Sequence, residues 1–465
     1  MILNFIALAL LNLLPLAFAL PNHIVARETS SNASVTAPPT RSHPTSLPHT
    51  AYNGTASVTG AITATSVGTG IPSGSISPSE TTYPSDGKLH NAEPAPYDPA
   101  GGVGTNGSIP VYNAKSDFDY ESLALALYQA WIELDLFQDA LNRFSVDDFM
   151  SAGLTSKDRD LIGFMAQQEV GHATLISNML GAEAPQQCAY IYPYNTVNEF
   201  LDFAQKLTRF GEAGVYGFLA HLNSREAATL LTQSISTEAR QQLIFREFQG
   251  LFPMPEWFEV GIPQSWAWTL LAPYISWCPE NQTRLIWENF PALRILNQPS
   301  LSNRGSGGDN SSTTVNDTIS PGTNVVSGRR KRSSSSGRNC GATVTTEDVA
   351  PLSYAGRYVA LQWDNPGKAV GPNNSYVTTS SAQAAKYVVW VSQLNITYTP
   401  LRGANGTNAT RGYTIQPDLQ TYQGDPAING TMSIAITDSK PVLSPFNISL
   451  INPHIVAGPA IYQAG

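Results

Sequence analysis

Four segments in the middle of the chain carry apolar residues at alternating steps of four and three, the spacing of one helical face. The first, from about Phe118 to Phe144, has Leu123, Leu127, Ala130, Leu134, Phe137 and Leu141 in register. The second, from about Lys157 to Leu180, follows the cap candidates Thr155 and Ser156 and stops at Gly181. The third opens on Thr196-Val197-Asn198-Glu199 and runs to about Leu222. The fourth opens on Asn223-Ser224-Arg225-Glu226 and runs to Phe248, ahead of Gly250 and Pro253. Both openings have the spacing of a capping box. Four helices of this length predict a bundle.

After Pro351 the period changes to two. Leu394, Ile396 and Tyr398 alternate with Asn395 and Thr397; Met432, Ile434 and Ile436 form a second run, and Phe446, Ile448 and Leu450 a third, opposite Asn447 and Ser449. With turns such as Gly424-Asp425-Pro426 between them, these runs predict an antiparallel β domain, a sandwich. The expected fold class is therefore α+β multidomain: a four-helix bundle over 111–298 followed by a β-rich region over 351–465. The segments 20–110 and 299–350 show almost no apolar period and are rich in Ser, Thr, Gly and Pro, or in Ser, Thr, Asn and Gly. They read as an O-glycosylated stalk and a low-complexity linker, because such stretches bury too little surface to offset their ordering entropy. The run Arg329-Arg330-Lys331-Arg332 in the linker reads either as a processing site or as a solvated charge cluster.

The first nineteen residues are apolar and end on Ala17-Phe18-Ala19, the pattern of a cleaved secretion signal. Asn-x-Ser/Thr sequons support export: Asn32, Asn53, Asn106, Asn281, Asn310, Asn316, Asn373, Asn395, Asn405, Asn408, Asn429 and Asn447 all fall outside the four helices. The expected location is extracellular or cell wall, with wall polysaccharide or a wall protein as partner. No later segment is apolar for long enough to span a bilayer, so no stable membrane insertion is expected. A net charge of -9 argues against nucleic acid as a partner. Of the three cysteines, Cys188 and Cys278 are the favoured disulfide pair, each lying just beyond a helical stretch, while Cys340 lies in the linker.

Polar residues interrupt two of the helical seams at matching places. The second helix reads Ile162, Met165, Glu169, His172, Ile176, Met179, and the fourth reads Leu231, Ser234, Glu238, Gln241, Phe245, Phe248. A carboxylate facing a bundle core is costly unless it is paired or ligates a cation. Glu-x-x-His puts two ligand groups on one helical face. Two such helices, with one Glu from each of the others, form a metal-holding arrangement. Glu133 and Glu212 supply those two carboxylates, so the candidate metal residues are Glu133, Glu169, His172, Glu212, Glu238 and Gln241, with iron or manganese as the expected ion. The competing reading is a hydrogen-bonded polar network of Glu169, His172, Glu212, Glu238 and Gln241, with Arg240 as a candidate further member, that fixes helix register without chemistry. His221 is an extra ligand candidate, although its place near a helix end suits a hydrogen-bonding role. Trp257, Trp266, Trp268, Trp277 and Trp287 are expected to cover one end of the bundle, a carbohydrate platform being the alternative.

The runs Gln167-Gln168-Glu169-Val170-Gly171-His172, Gly211-Glu212-Ala213-Gly214-Val215-Tyr216 and Thr237-Glu238-Ala239-Arg240-Gln241 resemble the ferritin-like domain of desiccation-related proteins and of fungal secreted stress-response or sexual-development proteins. The resemblance to the fungal group continues through Gly250-Leu251-Phe252-Pro253-Met254-Pro255 and Pro263-Gln264-Ser265-Trp266-Ala267-Trp268. It extends into the tail at Gly371-Pro372-Asn373-Asn374-Ser375-Tyr376 and Asn452-Pro453-His454. Two departures weaken the ligand set that the resemblance implies: Gln241 stands where metal-holding relatives often have His, and Ala130 where they often have a further Glu. No nucleophile triad or phosphate-binding glycine loop is present in the sequence. The expectation is a secreted or wall glycoprotein of stress or developmental response with a non-enzymatic bundle. The alternatives are an iron- or manganese-dependent redox protein acting on oxygen or peroxide, and a carbohydrate-adhesion module.

Overall fold

The computed structural model describes residues 112–279, 282, 284–299, 351–404, 409–421, 425 and 430–465. The signal, the stalk, the linker from 300, Cys340, the basic run 329–332 and the sequons at 32, 53, 106, 281, 310, 316, 405, 408 and 429 lie outside those residues. So does the turn at 424–426, except for Asp425.

The four expected helices are α1 (Asp117–Arg143), α3 (Ser156–Leu180), α4 (Val197–Leu219) and α5 (Arg225–Gln249), with a short α2 (Val146–Ser151) between the first two. Their ends follow local chemistry. Thr155 with Asp158, and Thr196 with Glu199, close reciprocal capping boxes, satisfying backbone donors that the first turn leaves without partners. Gly250 ends α5 in the left-handed conformation, with φ 73°. The start of α5 differs from expectation: Ser224, not Asn223, is the cap, and its hydroxyl accepts from the Ala227 N–H. The N–H groups of Asn223 and Ser224 instead bond the Asp119 carboxylate of α1, a tertiary partner that the local pattern does not reveal.

Helix α1 packs on α3, and α4 on α5, while α1 against α4 joins the two hairpins. Both polar seams face inward, with all twelve of their residues buried. Helices α1 and α4, however, are buried on nearly every side. Their outer faces are covered by α6 (Gln264–Leu271) and by the C-terminal region.

The tail builds two larger antiparallel sheets and a two-stranded one of β5 (Ala369–Val370) and β6 (Tyr376–Val377). One of the larger sheets orders β11 (Ile455–Gln463), β10 (Thr431–Thr437), β7 (Tyr387–Ser392) and β8 (Asn395–Pro400); the other orders β3 (Leu293–Ile295), β4 (Tyr358–Trp363) and β9 (Arg411–Ile415). Leu361, Trp363, Val388, Trp390, Ile434 and Tyr462 meet between them, so the sandwich is formed. Its four-stranded sheet is buried on its second face too. Val389 and Val391 alternate with Val388 and Trp390 and enter the core of the helices, together with Ala435 and Ile461. The sheet is thus a middle layer between the bundle and the three-stranded sheet, and β3, from before the linker, pairs with β4, from after it.

Other expectations are corrected. Phe446–Leu450 is not a strand: it lies in 3-10 helical turns over Pro445–His454, where Ser444 caps, Asn447 Oδ1 accepts from the Ser444 N–H at 2.6 Å, and Pro445 fixes the first turn. The tryptophans do not form one surface, since Trp266 and Trp268 on α6 are fully buried while Trp257 is exposed. Disulfide Cys188–Cys278 is present, with Cα atoms 4.4 Å apart. It extends the two-stranded ribbon of β1 (Ala189–Tyr190) and β2 (Ile275–Trp277), in which Ala189 faces Trp277. Asn373, Asn395 and Asn447 are all partly exposed.

Candidate metal centre

Midway along the bundle, α3 and α5 bring Glu169, His172 and Glu238 together so that one ligand atom from each lies within 4.8 Å of the others. His172 Nδ1 stands 3.1 Å from Glu169 Oε2 and 3.6 Å from Glu238 Oε1. The other ring nitrogen, Nε2, is 2.9 Å from Thr237 Oγ1. Because that hydroxyl donates its own hydrogen to the Ser234 carbonyl at 2.7 Å, it accepts from His172, so Nε2 carries the proton. Once Nδ1 gives up its proton, as it must to bind a cation, its lone pair points at the space between the two carboxylates, with the tautomer and ring orientation set by Thr237.

Glu133 enters from α1 and Glu212 from α4, both buried. Gly211 makes room for the former: a Cβ there would stand 3.1 Å from Glu133 Oε1. Gln241 is turned the other way from a ligand. Its amide donates to Glu169 Oε1 at 2.8 Å and to Gln168 Oε1 at 3.2 Å. His221 lies apart from this group; its Nε2 meets the Phe446 carbonyl at 2.7 Å and its ring packs on Phe118 and Phe446. Arg240 is exposed and takes no part.

Arg209, three residues before Glu212 on α4, was not anticipated. It is buried, 3.6 Å from Glu212 Oε2, 3.2 Å from Glu256 Oε1, and paired with Glu259. The spacing of Arg209 and Glu212 was visible in the sequence, but Glu256 and Glu259 come from the loop after α5, which only folding brings near. Thr237 was equally legible as a neighbour of Glu238, yet its role depends on α3 lying alongside.

The electrostatics show what the site lacks. Burial pushes Glu133 well above the usual carboxylate range, and the charges of Glu169 and Glu238 push it further. Burial and the Glu169 charge raise Glu238 to about 8 against the opposing pull of His172, with the Glu212 charge adding to the rise. Glu212 rises to about 7 through burial, although Arg209 opposes the rise. Burial disfavours the charged form of His172, but the hydrogen bond its Nδ1–H donates to Glu169 and the charges of Glu169 and Glu238 outweigh it, leaving the imidazole near 8. Carboxyl groups are thus crowded together, and hold protons to higher pH, where no cation offsets their charge fully. Glu133 Oε1, both Glu212 oxygens and Gln241 Oε1 are buried acceptors without a hydrogen-bond partner. Oxygen and imidazole donors in this arrangement fit a divalent first-row ion, and Glu169, His172 and Glu238, with Glu133 beside them, are the residues placed to hold it.

A family model described as Ferritin-like domain matches residues 117–251, which span α1 through the Gly250 cap of α5 and include every residue of this centre. Protein rds1 of Schizosaccharomyces pombe (strain 972 / ATCC 24843) is 47% identical over 389 residues, covering 83% of this chain and 91% of that protein. With most of its length matched at that identity, the chain belongs to the family of Protein rds1 and carries a ferritin-like domain over residues 117–251.

Proposed function

We propose that this protein is an exported ferritin-like glycoprotein whose bundle binds a single iron or manganese ion between α3 and α5. The observation that carries the reading is the position of His172 Nδ1, set by the Thr237 and Ser234 contacts, between Glu169 and Glu238. One ion rather than two is favoured because Glu212 already has the Arg209 guanidinium as its cation and Gln241 presents its amide hydrogens. A bound ion of either element would supply one-electron exchange with oxygen or peroxide. The residues themselves hold the ion, exclude bulk water and accept the protons it displaces.

Export rests on the apolar N-terminus and on sequons confined to positions outside the helices. Membership of the fungal stress and developmental group rests on the sequence motifs described above. The second reading, a metal-free network that fixes helix register, is favoured by the Gln241 to Glu169 hydrogen bond. Elemental analysis of protein purified without chelator, beside a Glu169→Ala/His172→Ala variant, separates the two. About one equivalent of iron or manganese, lost in the variant, supports the metal centre; equal trace metal in both proteins supports the network.

A further inference from the structure

Five glycines lie inside the long helices, two on α3 and three on α4, and four of them have a neighbour in the same chain that a side chain would meet. A Cβ on Gly211 would stand 3.1 Å from Glu133 Oε1, one on Gly214 2.8 Å from Gln129 Nε2 and from Ala267 Cβ, and one on Gly163 3.7 Å from Leu141 Cδ1. At Gly217 it would run into the carbonyl of Ile262, whose N–H bonds the Ala213 carbonyl where the loop after α5 crosses α4. Gly171, midway along α3, is different: it is exposed, and a Cβ there would meet nothing within 4 Å. Glycine in a helix interior is less favourable than alanine. A position that keeps it without an internal reason marks a place where something from outside comes close to the backbone.

Gly171 lies on an open and nearly uncharged face. The outer sides of α1 and α4 are covered, whereas α3 and α5 leave theirs free: Phe164 is 55% exposed and Val170 49%, with Gln167, Thr174 and Asn178 exposed around Gly171. From Leu161 to Leu180 the two ionisable side chains, Glu169 and His172, are both buried, and Arg240 is the one exposed charge of α5 from Ala227 to Phe245. Contacts of Gln241 with Gln168 at 3.2 Å and of Thr237 with His172 at 2.9 Å hold the two helices side by side as one surface. No sequon falls on either helix. Depletion of charge around an aromatic side chain is the composition of an interface core. Each helix has 25 residues, so the pair presents a strip about 37 Å long and about 20 Å wide, against the roughly 800 Å² that each partner buries in a standard-size complex. The area suffices for a stable dimer.

We propose that two copies of this chain associate through the α3–α5 face, about a two-fold axis, with their backbones closest at Gly171 and with Phe164 and Val170 of each copy packed on the other. The net charge of -9 makes copies repel except through a face without exposed acidic side chains, which this one is. The segments 20–110 and 299–350 are poor in apolar residues and have little to bury there, and a single arginine gives no strong attraction to an anionic lipid surface. Gly171 adjoins His172, so the second copy also covers the solvent edge of the bundle centre, whether or not that centre holds an ion. Sedimentation equilibrium of the full-length protein tests the proposal. The expected result is a dimer at about 10 µM, the weak end of affinities for interfaces of this size. Gly171→Gln, which enters open space, and Phe164→Glu, which changes an exposed ring, should each weaken association at least about tenfold, the loss expected at a central contact, with helix content by circular dichroism unchanged. Phe446→Glu, replacing a ring 57% exposed on another part of the surface, should leave the dimer intact. If one face variant loses helix content, the other is read. A monomeric unaltered protein at that concentration gives the face to another occupant and overturns the proposal. So does undiminished association in a face variant that keeps its helix content.

Discussion

Arg209 Nη1 lies 3.6 Å from Glu212 Oε2, and both side chains are buried on α4. Removing one partner of a buried pair leaves an uncompensated charge, so Arg209→Met should destabilise the protein by roughly 3–5 kcal/mol in urea unfolding. Adding Glu212→Gln to it should recover a substantial part. A double variant no more stable than the single one would show that the other partners, Glu256 and Glu259, carry the energy.

Thr237 should matter to metal affinity more than to folding. Thr237→Val removes the acceptor that holds the Nε2 proton of His172, an outer contact of the kind whose loss weakens metal binding about 10- to 100-fold. The fold itself should lose only about 1 kcal/mol. Titration calorimetry with Mn²⁺ reads the first quantity and thermal melting the second; unchanged affinity would remove Thr237 from the centre.

The metal-free protein should lose stability as pH rises from about 5 to 8. Burial holds Glu121 near 7, and Glu212 and Glu238 sit near 7 and 8, against an ordinary value of 4.5. Through that window the folded chain binds more protons than the unfolded one, so stability falls with rising pH. His172 acts in the same direction, its contribution being complete below 6.5 and lost as pH passes about 8. Asp148, Glu226, Asp364 and Asp438 are held low and act oppositely, their stabilisation being lost only in acid. Saturating Mn²⁺ should offset the loss toward pH 8, because the ion takes the place of protons at Glu238 and His172. Melting temperature measured across pH with and without metal checks this, and a metal-free curve that rises toward pH 8 contradicts it.

The Cys188–Cys278 disulfide, spanning 90 residues of sequence, should contribute roughly 4 kcal/mol by limiting the unfolded chain. Cys188→Ser/Cys278→Ser should lower the urea midpoint accordingly while leaving metal content unchanged, since neither residue touches the centre.

A fragment ending at Gln298 should not fold as a soluble bundle. Val389, Val391, Ala435, Ile448, Ile451 and Ile461 belong to the core that covers the helices, and Arg246 of α5 bonds the Gly465 carbonyl at 2.9 Å. Without them, apolar faces of α1 and α4 are exposed over an area that favours association. Size-exclusion chromatography of residues 112–298 should show aggregate; a stable monomer would mean that the helices have a self-sufficient core.

The sequence by itself determined the elements whose signals are local. Periods of three and four gave the helices, Thr155, Thr196 and Gly250 gave their ends, and the seams through Glu169, His172, Glu238 and Gln241 gave the inward polar face. These are short-range consequences of backbone geometry and capping. Tertiary structure alone decided what those residues meet. It turned Gln241 into a donor to Glu169, paired Glu212 with Arg209 instead of Arg240, capped α5 at Ser224 by way of Asp119, and made the four-stranded sheet a layer buried on both faces. Each outcome depends on groups far apart in sequence, and a pattern along the chain records which face is apolar but not which surface comes to cover it.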